Sequence, residues 1–238
     1  MRFTFFTQLV AMAILSSAGI VSAQSSKKLS SDILLEKDGT TTIYVQPSEK
    51  EVVHTAVELL RNDVKNVVGA NLIVTDNLRS ADIVVESSPK LIGKWETFAF
   101  HIERKGSRRK LKIQGSDARG KAYGIMELSR IIGVSPWYYF ADVKSQQLSS
   151  VAFPMGRAEV SPSVKYRGIF LNDEDWGLMP WATQTLAPQS AKGAIGPEAY
   201  AKIFELMLRL RANTIWPAMH ECTVPFYFVK GNREMADK

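Results

Sequence analysis

Between Ser48 and Gly69 apolar side chains recur at Val53, Ala56, Val57, Leu60, Val64 and Val67. That spacing of three and four places them on one face of a helix, which must be buried. Ser48-Glu49-Lys50-Glu51 has the form of a capping box that would start the helix, and Gly69 is placed to end it. Around this helix the period changes to two or to short β-branched runs. Thr41–Val45, Asn71–Thr75 and Ala81–Glu86 are expected as strands. Phe98–Ile102 and Lys110–Gln114 flank Gly106-Ser107 and predict an antiparallel hairpin. A second helix is expected over residues 117–132, with Ala118, Ala122, Ile125, Leu128 and Ile131 on one face and Gly133 as its stop. Together these elements predict a small α+β domain over residues 30–150, followed by a linker at 151–163 where Pro154, Gly156 and Pro162 gather.

Beyond the linker the pattern differs. Val164–Leu171 predicts a strand that runs into Asn172-Asp173-Glu174-Asp175-Trp176. A loop rich in Gly, Pro and Ala then reaches Gly196-Pro197, where proline suits a first helical turn. Tyr200, Ile203, Phe204, Met207 and Leu210 mark the buried face of that helix, Asn213 can end it, and Thr214-Ile215-Trp216 begins another strand. Strand, helix, strand in this order is a βαβ unit whose strands should lie parallel. One such unit cannot bury both faces of a sheet. Asn232–Lys238 stands where another helix would begin. The chain is therefore expected to be the front part of a longer protein.

The N-terminus has the layout of a signal peptide over residues 1–23. Arg2 supplies positive charge, Leu9–Leu15 an apolar stretch, and Val21-Ser22-Ala23 a small-residue cleavage signature ahead of Gln24. A secreted or periplasmic protein is expected, with no membrane span once the signal is removed. The single cysteine, Cys222, excludes an internal disulfide. With 45% hydrophobic and 23% charged residues over 238 positions, the composition is that of an ordinary globular chain. The net charge of +6 changes little. Much of the excess sits in Arg104, Lys105, Arg108, Arg109, Lys110 and Lys112, around the hairpin turn, and no nucleic-acid partner is expected.

Several motifs suggest chemistry and then fall short of it. Gly115–Ala122 nearly fits a phosphate-binding loop, but Ala122 has no hydroxyl for magnesium and Asp117 puts negative charge where phosphates would sit. Asp117 suits a helix cap instead. His220-Glu221-Cys222 would need a second histidine at position 224 to make a helical zinc-protease motif, and that position is Val224. No metal and no cofactor is expected, and Cys222 is expected as a buried small residue. Pro136–Phe140 is an aromatic run better suited to packing between domains than to a sugar platform. The most informative feature is the acidic run after the first strand of the βαβ unit. In parallel sheets and barrels, sites form at the carboxyl ends of strands. Asn172–Trp176 leaves one strand end and Trp216–Glu221 leaves its neighbour, so both should open on one face. Carboxylates, an amide, an imidazole and two indoles would gather there, the groups that acid/base work on sugars requires.

These residues also resemble a known family. Tyr166–Leu178, Pro180-Trp181-Ala182 and Leu210–Cys222 are similar to glycoside hydrolase family 115, the xylan α-1,2-glucuronidases. Upstream, Gly115–Gly124 and Gly133–Trp137 are similar to the non-catalytic domain that precedes the catalytic barrel, a domain type also found in β-hexosaminidases. The resemblance implies a β-hexosaminidase domain 2-like front domain, then the first βα units of a truncated (β/α)8 barrel over residues 164–238. It implies inverting release of α-1,2-linked (4-O-methyl)glucuronic acid from glucuronoxylan or its oligosaccharides by the full-length protein. Carried onto this chain, it makes Asp175, Glu221, Asp173 and Glu174 the catalytic candidates, with acid and base roles unassigned. Asn172, Trp176, Trp216 and His220 become substrate-binding candidates. The acid/base pair is expected wholly or partly on later strands, and this fragment is expected to be inactive by itself. A hexosaminidase-like glycosidase and a non-catalytic carbohydrate-binding protein stay open as alternatives, as does a homodimer of the full-length protein.

Overall fold

The computed structural model describes residues 33–153, 157–172, 174–190 and 193–238; the signal-peptide region lies outside them. Among the described residues, ten strands and four α-helices follow in order. They are β1 (Ile33–Glu36), β2 (Thr40–Tyr44), α1 (Glu51–Val68), β3 (Asn71–Thr75), β4 (Ile83–Ser87), β5 (Phe98–Lys105), β6 (Arg108–Gly115), α2 (Ala118–Ile131), β7 (Ser150–Phe153), β8 (Arg157–Val160), β9 (Gly168–Phe170), α3 (Pro197–Arg209), β10 (Thr214–Trp216) and α4 (Asn232–Asp237). Six strands form a mixed sheet in the order β3-β2-β4-β6-β5-β8, β1 pairs with β7, and β9 pairs with β10. The architecture is mixed α/β, as the alternation of periods requires.

The helical stripe of α1 is buried as its spacing demands. Val53, Ala56, Val57, Leu60, Val64 and Val67 sit in one core with Ile43, Ile83, Leu111, Ile113, Phe98, Ile125 and Leu128 from the sheet and α2. Gly69 ends α1 in the left-handed conformation, at φ 70°, where a Cβ would be strained. The hairpin forms in the expected place, with β5 and β6 paired from Phe98↔Gly115 to Lys105↔Arg108.

Two expectations fail at particular residues. Ser48 does not cap α1: the helix starts at Glu51 behind Lys50, and no side chain caps it. Glu49 instead pairs with the buried Lys121 ammonium. A cap is worth about 1 kcal/mol, whereas a buried ammonium without a partner costs several. The stretch expected as a linker is also built into the fold. β7 pairs antiparallel with β1, and β8 pairs antiparallel with β5. Phe153 is buried at the end of β7; Pro154 and Gly156, which suggested the linker, lie outside the described residues.

The Gly115–Ala122 segment is a strand-to-helix turn occupied by its own side chains. The Asp117 carboxylate accepts hydrogen bonds from the backbone N–H of Gly120 at 2.7 Å and of Glu96 at 2.8 Å. A Cβ on Gly120 would lie 2.4 Å from the Thr97 carbonyl oxygen, so glycine here serves close packing. The Gly120 N–H and the Lys121 ammonium that a phosphate would need are already engaged, by Asp117 and Glu49.

A second core gathers Ala182, Ile195, Ala199, Tyr200, Ile203, Met207, Ala218 and Phe226 around α3. Both cores belong to one compact unit, Ser31–Lys238, and buried charge joins them. The Arg209 guanidinium on α3 donates to Asp63 of α1 at 2.7 and 3.1 Å and to Ser129 of α2 at 2.8 Å. Glu205 adds a contact at 2.9 Å. Burial pulls the Arg209 pKa down, and the bonds from Asp63 and the charge of Glu205 more than reverse this. Arg211 pairs with Glu127 of α2 at 2.5 Å. It follows the end of α3 in the left-handed region, at φ 58°. There the N–H of Ala212 reaches the Met207 carbonyl at 2.8 Å and that of Arg211 the Leu208 carbonyl at 3.1 Å. This is a Schellman closure with arginine where glycine is usual; the Glu127 pair and the Phe98 ring 5.0 Å from the guanidinium help offset the strain. The aromatic run packs between the two cores as expected. Tyr139 and Phe140 meet Trp181 at 6.3 and 5.8 Å between ring centroids, and the Tyr138 hydroxyl donates to Glu205 at 2.8 Å.

Replacing Asp63 with Asn should cost about 3 kcal/mol, because it removes the main partner of a buried guanidinium; the shift in urea midpoint measures it. A second outcome concerns pH. Burial pushes the phenol of Tyr123 up to about 12, aided by the neighbouring Glu96 charge, and burial with the Glu205 bond does the same for Tyr138. The unfolded chain therefore loses these protons first. Stability should be intact below about pH 10, the ordinary phenol value, and fall as pH rises towards 12. Urea midpoints across that interval check it, and Tyr138→Phe should flatten the fall.

Candidate active site

The site is set by where two short strands end. β9 and β10 lie parallel, in the register Gly168↔Thr214, Ile169↔Ile215, Phe170↔Trp216. They touch closely at their start: a Cβ on Gly168 would lie 1.8 Å from the Thr214 carbonyl oxygen. Their amino ends are pinned to the front of the molecule. Asn213 accepts the Arg167 N–H at 3.0 Å and donates to the Lys165 carbonyl at 2.8 Å and to Glu96 at 3.0 Å. The Arg167 guanidinium pairs with the same buried Glu96 and donates to the Arg211 carbonyl at 2.8 Å.

Their carboxyl ends open to solvent. Phe170 and Trp216 finish the two strands with rings edge to face, 5.9 Å apart. After β9 the chain makes a wide π-helical turn over Glu174–Leu178 that carries Asp175, and a second such turn follows over Trp181–Leu186. After β10 a tight turn, closed by the Thr223 N–H on the His220 carbonyl at 2.9 Å, carries His220 and Cys222. Two further bonds hold this loop: the Ala218 N–H donates to the Tyr200 hydroxyl at 3.3 Å, and the Val224 N–H to the Gly193 carbonyl at 2.8 Å. Gly193 has φ 79°, and a Cβ there would meet the Cys222 carbonyl at 2.5 Å, so only glycine lets the two segments lie together.

The two loops meet. His220 Nδ1 lies 3.2 Å from Asp175 Oδ1. The Cys222 thiol donates to the same carboxylate, and its Sγ lies 3.5 Å from His220 Nδ1. The bond to Asp175 pushes the Cys222 thiol pKa up, which opposes a role as thiolate nucleophile. Cys222 is exposed, against its expectation as a buried small residue, because its loop stands at the strand ends rather than in the core.

Of the other candidates, Trp176, Trp216, Asn172 and Glu221 lie at or just beyond these strand ends. Trp176 and Trp216 are 88% and 61% exposed, the form of rings offered to a ligand face; the Trp216 indole N–H donates to Met219 Sδ at 2.9 Å. Asn172 and Glu221 are exposed, Glu221 lying between two residues that reach Asp175. Asp173 lies outside the described residues, as does the side chain of Glu174. Among the described residues no helix is long and apolar enough to cross a membrane.

A sequence profile of Glycosyl hydrolase family 115 matches residues 159–238, the part that carries this rim. One solved structure, described as a novel family GH115 4-O-methyl-α-glucuronidase, BtGH115A, with specificity for decorated arabinogalactans, matches 87% of the chain at 43% identity and a TM-score of 0.81. The chain belongs to glycosyl hydrolase family 115. It spans 28% of the length of that family-115 structure. A mutant β-hexosaminidase from Streptomyces plicatus matches 59% of the chain and 25% of its own, at 17% identity and a TM-score of 0.43. A β-N-acetylhexosaminidase from Bacteroides fragilis matches 59% of the chain and 24% of its own, at 16% identity and a TM-score of 0.35. No curated protein matches.

Within the family-115 segment, sequence reasoning named Asp175 and His220, which the structure brings together, and passed over Cys222, which joins them. The available signal was the spacing of His220 and Cys222, two residues apart, but the partner Asp175 lies 47 positions from Cys222. Gly168→Ala should force β9 from β10 and destabilise by about 1–3 kcal/mol, as overpacking does. The urea midpoint reports the loss, and a weakened Asp175–His220 contact should appear as a shifted imidazole resonance.

Proposed function

We propose that the full-length protein is a glycoside hydrolase that releases α-1,2-linked (4-O-methyl)glucuronic acid from xylan side chains, with inversion. The observation that carries this reading is the meeting of Asp175 with His220 at the carboxyl ends of β9 and β10, inside the segment matched by the family profile. Parallel strand ends are where barrel enzymes place their chemistry. The reading takes β9, α3 and β10 as the first βα units of a (β/α)8 barrel over residues 164–238, behind a non-catalytic domain over 30–150. Export through the signal peptide at 1–23 would bring the enzyme to extracellular polysaccharide.

Inversion needs a general acid and a general base about 6.5–9.5 Å apart with a water between them. Asp175, Glu221, Asp173 and Glu174 are the carboxyl groups this chain offers to that pair. Asn172 and His220 would hold sugar hydroxyls or the uronate carboxylate through hydrogen bonds, those to the carboxylate being charge-assisted. Trp176 and Trp216 would stack on sugar faces. The 43%-identical structure favours a second reading of the polymer, since it is described as specific for decorated arabinogalactans. On that reading the uronic acid is the same and the chain bearing it differs.

Release of glucuronic acid from glucuronoxylan and from arabinogalactan by the full-length enzyme separates the two polymers, and turnover of neither rejects both. In the same assay Asp175→Ala should lower release by about 100-fold or more, the usual loss for a group working on the proton or its acceptor, with unchanged circular dichroism. Near-normal release by that variant removes Asp175 from the site.

A further inference from the structure

We propose that Asp175, His220 and Cys222 form a binding site for a divalent cation of the zinc class, with carboxylate oxygen, imidazole nitrogen and thiolate sulfur as its three protein donors. The donor atoms lie within 4.8 Å of one another. A tetrahedral zinc ion holds N and O ligands at about 2.0–2.1 Å and sulfur at about 2.3 Å. Those bonds put N and O about 3.3 Å apart and N and S about 3.6 Å apart. The loops set His220 Nδ1 3.2 Å from Asp175 Oδ1 and 3.5 Å from Cys222 Sγ. These are two edges of a coordination tetrahedron, made by residues from two separate loops. The third edge, from Cys222 Sγ to Asp175 Oδ1, is closed by the thiol hydrogen bond and opens when the ion displaces the thiol proton.

The support behind the donors matters as much as their spacing. The turn from His220 to Thr223, its bond to Gly193, and the Tyr200 hydroxyl under Ala218 fix the loop that carries two of the three. Thr223 and Ala218 are buried beneath it. A mixed set of one thiolate, one imidazole and one carboxylate suits zinc or cobalt and not calcium or magnesium, which take oxygen ligands. On binding, the Cys222 S–H bond breaks, its proton passes to solvent, and the sulfur lone pair becomes the bond to the metal. Thiolate and carboxylate together balance the dication. The ion would tie the turn after β9 to the turn after β10.

Cobalt(II) titration tests this, because a thiolate bound to cobalt gives a near-ultraviolet charge-transfer band and a tetrahedral site gives strong visible bands. The chain contains one cysteine, so any such band arises at Cys222. The purified chain should take up one cobalt per molecule, zinc should displace it, and Cys222→Ser should abolish the near-ultraviolet band. His220→Ala and Asp175→Asn should each weaken binding by about 10-fold or more. No band in the unaltered chain overturns the inference, as does one cobalt shared by two chains, or undiminished affinity in both the His220 and Asp175 variants. Sugar hydrolysis has no part in the readout, so failure of the cobalt titration leaves the glucuronic acid assay untouched. An ion held on Asp175 and His220 occupies groups assigned to the sugar, so added zinc should lower glucuronic acid release.

Discussion

The arrangement of the strand ends rests on Glu96. Its carboxylate is buried and holds Arg167, Asn213 and Arg119, the last at 3.2 Å. Arg167 immediately precedes β9 and Asn213 immediately precedes β10, so one carboxylate from the front of the molecule fixes where both strands begin. Three residues per strand bring too little hydrogen bonding to hold a parallel pair alone. A buried carboxylate of this kind must keep its partners, because separating it from them leaves a charge stranded in the interior. The strand pair is thereby as firmly placed as the sheet from which Glu96 extends.

The second fastening, Asp63 with Arg209, does for α3 what Glu96 does for the strands. The two together divide the βαβ segment by role along its length. Arg167, Gly168, Asn213 and Arg211 stand at the amino ends of the strands and the end of α3, where they dock the segment. Asp175, Trp216, His220 and Cys222 stand at the carboxyl ends, where they are exposed to solvent. Residues of one short peptide, Arg211 to Cys222, thus serve opposite purposes at opposite ends of a three-residue strand. A change at Asn213 would act on the site by moving the strands, whereas one at His220 would remove a group from the rim itself.

The same physical bookkeeping explains why local signals were overruled where they were. Ser48 offers a cap to α1, yet the helix begins later because Glu49 is drawn to Lys121, whose position is decided by α2. Arg211 adopts a conformation that favours glycine because Glu127 and Phe98 receive its side chain. In both places a tertiary partner outweighs a preference of about 1 kcal/mol.

By itself the sequence determined the elements whose information is local. The stripe from Val53 to Val67, the hairpin around Gly106-Ser107, the Asp117 cap of α2 and the β9-α3-β10 order follow from periodicity, turn residues and capping chemistry, and all lie within short windows. The parallel strand order also brought Asn172–Trp176 and Trp216–Glu221 to one rim, since connectivity alone puts both exits at the same end. Only the tertiary structure decided that β7 and β8 join sheets, that Glu96 and Asp63 fasten the βαβ segment, and that Cys222 reaches Asp175. Those facts depend on pairs separated by tens of residues. Their energy comes from burying complementary charge and completing open strand edges, and no local pattern encodes which distant partner will be there.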